Sequence, residues 1–314
     1  MPEPMKHTPW TLLNVRQLAY LLAVVDEGSF TAAAQRLHLS QPALSRQVRE
    51  LEQHIGGALL ERRRGGLVPT ATGRAFLPEA RAVVAAAERA MRVARDSLGL
   101  EGGTLELATL ATLASGRLLP ALSEWRRLHP HVRTRLREFT FRGELEEYVA
   151  GGGGDLAIGT LSQPWDGPAV SLGWEEFVLV LPPGDPLLER PGAVALDALA
   201  ERDWVGYDPQ QGLARLMGAA CAAAGFEPRE AVRTSQVEAA ARFAAAGLGL
   251  ALVPAGTVPG DLAACARRLD PPVAWEISAY ARTELDHAAQ SFIALATATA
   301  SSPRPHGALE LTDR

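Results

Sequence analysis

The chain has 314 residues, 47% hydrophobic and 21% charged, with a formal net charge of −5. That length supports two or three folded units. No apolar run reaches the roughly 18 residues of a membrane span, and the opening MPEPMKHTPW lacks the apolar core of a secretory signal, so the protein reads as cytoplasmic.

The charge is uneven. Residues 1–98 carry 13 Lys and Arg against 9 Asp and Glu, whereas residues 99–314 carry 18 against 27. A basic N-terminal part beside an acidic remainder points to an anionic partner for the first part. Cys221 and Cys265 lie 44 positions apart, outside any C-x-x-C, and no His/Cys cluster has metal spacing. Both read as reduced, partly buried thiols, with a redox switch as the alternative. No cofactor is expected.

In chain order, Asn14 is placed to cap a first helix, with Gln17 completing a capping box. Val15, Leu18, Leu22 and Val25 recur at helical spacing, and Gly28 ends the helix. Ser29 caps a second helix over Phe30–Leu37, with Ala33, Ala34 and Leu37 inward. Leu39 enters the core after a short turn, and Ser40 caps a third helix with Pro42 in its first turn. On that helix Leu44, Val48, Leu51 and Ile55 form one apolar stripe. Pro42, Ser45, Arg46 and Arg49 face the other way, and Gln41 projects from the leading end. Two helices joined by a short turn, the second with a polar outward face, make a helix-turn-helix. Gln and Arg suit bidentate contacts to base edges, and Ser suits base or phosphate. In ERRRGGLVPT, Gly65-Gly66 fits a hairpin turn. Arg62, Arg63 and Arg64 would project from it as a wing toward phosphates, joined by backbone N–H groups at the helix starts capped by Ser29 and Ser40. A merely solvated helix face is the plain alternative; the coincidence of three helices, short turn and basic hairpin favours DNA.

The stretch RQLAYLLAVVDEGSFTAAAQRLHLSQPALSRQVRELEQHIGGALLER closely resembles the N-terminal winged helix-turn-helix of LysR-type transcriptional regulators, through the pattern A-A-x-x-L-x-x-S-Q-P-A-[LV]-S-x-x-[IV]-x-x-L-E. The resemblance implies that Phe30 to Arg49 is the helix-turn-helix proper, with Gln41, Pro42, Ser45 and Arg46 in the major groove. It implies phosphate contacts from Thr31, Arg36, Ser40, Arg49 and the wing. RRRGGLVPTATG departs from the usual R-x-x-R-x-V-x-L-T-x-A-G: Pro69 replaces a strand residue, which shortens the expected second wing strand.

From Thr72 to Leu98 the spacing of Leu77, Ala80, Val84, Ala87, Met91, Ala94 and Leu98 is that of a heptad seam. The helix would be about 40 Å long at about 1.5 Å per residue. Self-association is the preferred reading over packing on the chain's own body, and the resemblance agrees: such regulators dimerise through this linker helix. A dimer sets two reading helices on pseudo-palindromic half-sites of double-stranded DNA. LGLEGGT supplies a hinge.

Beyond Thr104, the segments TLELATL, TRLREF, DLAIGT, EFVLVLP, WVGY, AVRTS and LALVP read as strands alternating with helical stretches, an α/β pattern with largely parallel sheets. This part resembles the family's effector domain, a two-lobed fold like that of periplasmic binding proteins. The expected architecture is therefore an N-terminal all-α winged helix-turn-helix (13–70), a linker helix and hinge (71–101), and a two-lobed effector domain (102–298). Its first lobe spans about 102–160 and 268–298, its second about 161–267. Residues 299–314 are expected to be a disordered tail.

An effector would lie between the lobes, at strand ends and helix starts. The candidates are Thr109, Thr112, Leu113 and Ser115, then Thr140 and Phe141, then Gly159 and Thr160, and finally Ser235 and Gln236. Helix starts favour an anionic small molecule, although any single hydroxyl could be only an N-cap. GGGGD at 151–155 follows a helix and precedes a strand, the wrong order for a dinucleotide loop. Trp165, Trp174 and Trp204 read as lobe packing. No nucleophile–base motif suggests an enzyme. The sequence thus describes an effector-controlled DNA-binding regulator, a homodimer or homotetramer, with RNA polymerase as a further candidate partner. The rivals are a small-molecule binding or transforming protein whose N-terminal module makes protein contacts, and a regulator needing no effector.

Overall fold

A computed structural model describes residues 13–63, 66–97, 103–114, 116–300 and 302–309. The chain forms two compact units, residues 1–103 with 148–153 and residues 104–147 with 154–314. Arg64, Leu98 and Ser115, three of the candidate residues, lie outside the described residues.

The first unit opens with α1 (Val15–Glu27), α2 (Phe30–Arg36) and α3 (Gln41–Ile55), continues with the hairpin β1 (Leu60–Arg63) and β2 (Gly66–Pro69), and ends in α4 (Ala71–Ser97). Leu18, Leu21, Ala33, Leu44, Val48, Leu51 and Leu59 form its core, each 1% exposed or less. The caps fall where expected: Asn14, Ser29 and Ser40 accept from Arg16, Ala32 and Ala43 N–H, and Gly28 turns left-handed at φ 59°. The capping box does not form. The Gln17 amide is buried and turns to Gln47 Oε1 and Glu50 Oε2 on α3, both at 3.4 Å. A side chain that can tie two helices together in the core leaves its own helix start. The wing is a two-stranded hairpin, and β2 reaches Pro69, in register with Leu60.

His38 sits between α2 and α3 at φ 54°. His38 and Leu39 donate to Gln35 and Ala34 carbonyls at 3.2 and 2.9 Å, a helix-ending motif that normally holds glycine. The left-handed conformation strains a side-chain-bearing residue by roughly 1–2 kcal/mol, against a glycine entropy penalty of roughly 0.4–1 kcal/mol. His38→Gly is expected to stabilise the first unit by about 0.5–1 kcal/mol, read as a higher urea midpoint. A lower midpoint would show that the turn carries no such strain.

In α4, Leu77 and Ala80 are 9% and 1% exposed within the first unit's core, and Val84 packs against that core. The first half of the expected seam is therefore internal, because these residues cover α1. On the other side, Val83 and Met91 are 42% and 57% exposed, Ala94 is exposed and Ala87 is half-buried.

The second unit runs β3 (Thr104–Leu110), α5 (Ala111–Ala114), α6 (Leu119–Leu128), β4 (Arg133–Phe139), α7 (Arg142–Ala150), β5 (Leu156–Gly159) and β6 (Ala169–Val180). It continues with α8 (Pro186–Glu189), β7 (Val194–Ala195), β8 (Asp203–Tyr207), α9 (Gly212–Ala223), β9 (Arg229–Thr234), α10 (Val237–Ala245), β10 (Ala251–Pro254), β11 (Ala266–Tyr280) and α11 (His287–Ala300). Strand β3 is parallel to β4 and β5, and β8 is parallel to β9. Long β6 and β11 run antiparallel to each other, and β10 is antiparallel to β6. The sheets are mixed rather than largely parallel, because two long strands pass from one lobe to the other. In the first lobe, Ala169–Ser171 of β6 pair with Tyr280–Ser278 of β11, which also pairs with β5. In the second, Phe177–Val180 pair with β10. On β6 the pairing changes from the β5 side to the β10 side near Leu172–Glu175.

The tail expectation fails for residues 302–309. Trp174 N–H donates to Ser302 O at 2.8 Å, Leu309 N–H donates to Pro272 O at 2.9 Å, and Ala308 is buried.

Candidate nucleic-acid interface and effector cleft

The candidate reading face is built by three local devices. Ser40 caps α3, which fixes its leading end. Leu44, Val48 and Leu51 bury one side of that helix, which turns Pro42, Arg46 and Arg49 out into solvent and leaves Gln41 and Ser45 half-buried. Glu52, on the same helix, accepts from Leu59 and Leu60 N–H at 2.8 and 3.2 Å and so anchors the first wing strand. Sequence reasoning missed this role, although the Glu closes the family signature. Thr70 Oγ1 donates to Ala58 O at 2.7 Å and accepts from Gly73 N–H at 3.0 Å. A Cβ on Gly73 would meet Leu59 O at 2.1 Å, so only glycine lets α4 start so close to the wing.

A hollow of about 270 Å³ lies in this unit, lined by Gly28, Ser29, Phe30, Thr31, Gln41, Arg62, Gly66 and Leu67. It brings together Thr31, Gln41 and Arg62 from three separate sequence positions. Arg46 stands outward with no hydrogen bond or ion pair to the described residues. Arg36 is held by Glu27 at 3.0 Å, and Arg49 Nε donates to Ser45 O at 3.2 Å along its own helix. Arg63 ends β1, in register with Gly66.

The effector candidates divide. Thr112, Thr140, Phe141, Gly159 and Thr160 gather at the C-terminal edge of the parallel strands β3, β4 and β5. Thr109 does not belong with them: it is fully buried and its hydroxyl donates to Ile158 O at 2.8 Å. Leu113 is likewise fully buried. Ser235 and Gln236 are exposed beyond β9, where Gln211 Nε2 donates to Ser235 O at 2.8 Å. Gln211, 5% exposed at the start of α9, carried no sequence signal.

Two further features became visible only in three dimensions. Arg117 and Glu175 form an ion pair at 3.4 Å, their side chains 6% and 8% exposed. Burial pushes the carboxyl of Glu175 up, against the attraction of Arg117 and a backbone N–H from Gly256, and burial pushes Arg117 down. Both cysteines are buried, and desolvation pushes the Cys221 thiol up to about 12, so it stays protonated and unreactive. Trp204 is core. Trp165 packs against Tyr280 with the rings tilted and their centroids 4.9 Å apart, and donates to Ala281 O. Among the described residues no helix is long and apolar enough to cross a membrane.

A family model described as bacterial regulatory helix-turn-helix protein, lysR family, matches residues 15–74, and the LysR substrate binding domain matches residues 98–301. The chain is 30% identical to a RuBisCO operon transcriptional regulator of Allochromatium vinosum, over 80% of this chain and 82% of that one. It is 27% identical to the HTH-type transcriptional regulator AlsR of Bacillus subtilis, over 77% of this chain and 80% of that one. A crystal structure of full-length CbnR complexed with its target DNA has the same fold, with a TM-score of 0.62 and 24% identity, covering 92% of this chain and all of that one.

Proposed function

The chain belongs to the LysR-type transcriptional regulators, DNA-binding proteins with a C-terminal effector-binding domain, and on that premise we propose which of its residues read DNA and which meet an effector. Gln41, Pro42, Ser45 and Arg46 enter the major groove. Thr31, Ser40 and Arg62 meet the flanking phosphates, together with the other wing arginines. Arg36 and Arg49 first have to leave Glu27 and the Ser45 carbonyl. The observation that carries this reading is the hollow uniting α2, the leading end of α3 and the wing around Thr31, Gln41 and Arg62, beside an outward Arg46. Two copies join along Val83, Ala87, Met91 and Ala94 and place two reading helices on half-sites in the cytoplasm. A small anionic effector sits between the Thr112–Thr140–Thr160 edge and the Ser235–Gln236 edge, and shifts the assembly only as far as it binds one arrangement better.

A gel shift of the full chain against DNA upstream of its own gene tests the reading. The specific complex should survive competitor DNA, while binding to a random duplex should fall by roughly 10³ or more between 50 and 200 mM salt. Equal binding to both duplexes, or to neither, would remove the proposal.

A further inference from the structure

Strand β6 carries the lobe crossover with an open edge. Its Leu172–Glu175 stretch lies between the residues paired in the first lobe and those paired with β10 in the second. That edge is covered by two groups from the first lobe and the C-terminal segment. Arg117, just before α6, donates to Leu172 O and to Trp174 O, the latter at 3.0 Å. Ser302, beyond α11, accepts from Trp174 N–H at 2.8 Å. The residues after Ser302 continue across the crossover. The Arg304 guanidinium lies 5.0 Å over the Trp174 ring, Ala308 N–H donates to Pro305 O at 3.1 Å, and Leu309 N–H donates to Pro272 O in the β11 bulge at 2.9 Å. The Leu309 side chain packs against the second lobe's core. At its other end the segment follows α11, whose Phe292 meets Trp125 of α6 edge-on at 5.6 Å in the first lobe. The segment lies beyond residue 301, where the match to the family's domain model ends.

We infer that residues 302–309 are a strap that clamps the interlobe hinge, fastened to the first lobe through α11, to the crossover at Trp174 and to the second lobe at Leu309. Rotation of the lobes about Leu172–Glu175 changes the distance between the strap's fastening on the first lobe and crossover and its fastening at Leu309 on the second lobe. The strap therefore has to release either the Ser302–Trp174 bond or the Leu309 packing before the hinge can open. Its regulatory consequence rests on the proposed effector cleft: an effector that needs another lobe angle works against this clamp. The clamp itself does not depend on any ligand.

Hydrogen exchange by mass spectrometry on the full-length chain tests it without an effector. Three variants are compared with the wild type: a stop after Ala300, Arg304→Ala, and Leu309→Asp. Peptides covering 170–178 should exchange at least tenfold faster in the truncated chain and several-fold faster in the two point variants. Peptides from α9 (213–221) and α1 (18–24) should keep their wild-type rates. The inference falls if the β6 peptides are unchanged, since the strap would then only cover surface. It falls equally if α9 accelerates as much as β6, since the strap would then hold the fold as a whole. A chain that bound no effector would leave either result standing, so failure of the cleft reading is a separate outcome.

Discussion

Replacing Arg117 by alanine is expected to destabilise the second unit by about 3–5 kcal/mol, the range for removing one partner of a buried ion pair. The carboxylate of Glu175 would stay buried with only the Gly256 N–H to satisfy it, and the Leu172 and Trp174 carbonyls would be left without their donor. The destabilisation should depend on pH with a definite sign. Burial already raises Glu175 above its ordinary value of 4.5, and removing the opposing guanidinium raises it further. A group whose folded value lies above its unfolded one gives stability that is present below the unfolded value and disappears as pH climbs through the folded value. The deficit of Arg117→Ala should therefore be small near pH 4.5 and grow toward pH 8. Urea denaturation followed by tryptophan fluorescence at both pH values reads it. The double change Arg117→Leu with Glu175→Leu should recover most of the stability, because no buried charge is left without its partner. A deficit that is flat with pH would clear Glu175 of responsibility.

The second large effect is on DNA. Arg46→Ala should lower discrimination between the operator and random duplex by roughly five- to 150-fold, about 1–3 kcal/mol for one bidentate pair of hydrogen bonds to a base, while affinity for random duplex changes little. Arg62→Ala should instead weaken both alike and flatten the salt dependence by about 0.9 for each phosphate it no longer neutralises. Fluorescence anisotropy with both duplexes over a salt series separates the two. If Arg46→Ala weakened both duplexes equally and flattened the slope, Arg46 would be touching phosphate and the groove assignment would be wrong.

How much was legible varied with the range of the interactions involved. The helix-turn-helix could be read because its causes lie within a few residues: caps at Asn14, Ser29 and Ser40, the 3.6-residue stripe Leu44–Val48–Leu51, and the left-handed Gly28. Strand β11 could not. ARRLDPPVAWEISAY has two prolines at its middle, which ordinarily break a strand. The structure loops residues 269–272 out of register between Arg268 and Val273 and lets Leu269 and Asp270 pair with β7 instead. The surroundings of Thr109 were not legible for a related reason. A hydroxyl before a helix looks like a ligand group until the neighbouring strand is known, and here it donates to Ile158 O on β5.

The sequence alone determined the regulator family and the helix-turn-helix, since each follows from local periodicity, caps and a closely spaced signature. Only the tertiary structure decided that Leu77 and Ala80 face inward, that Arg117 meets Glu175 58 residues away, and that Ser302 returns to Trp174. Those outcomes depend on which distant surfaces come together and exclude water, and no spacing along the chain encodes that by itself.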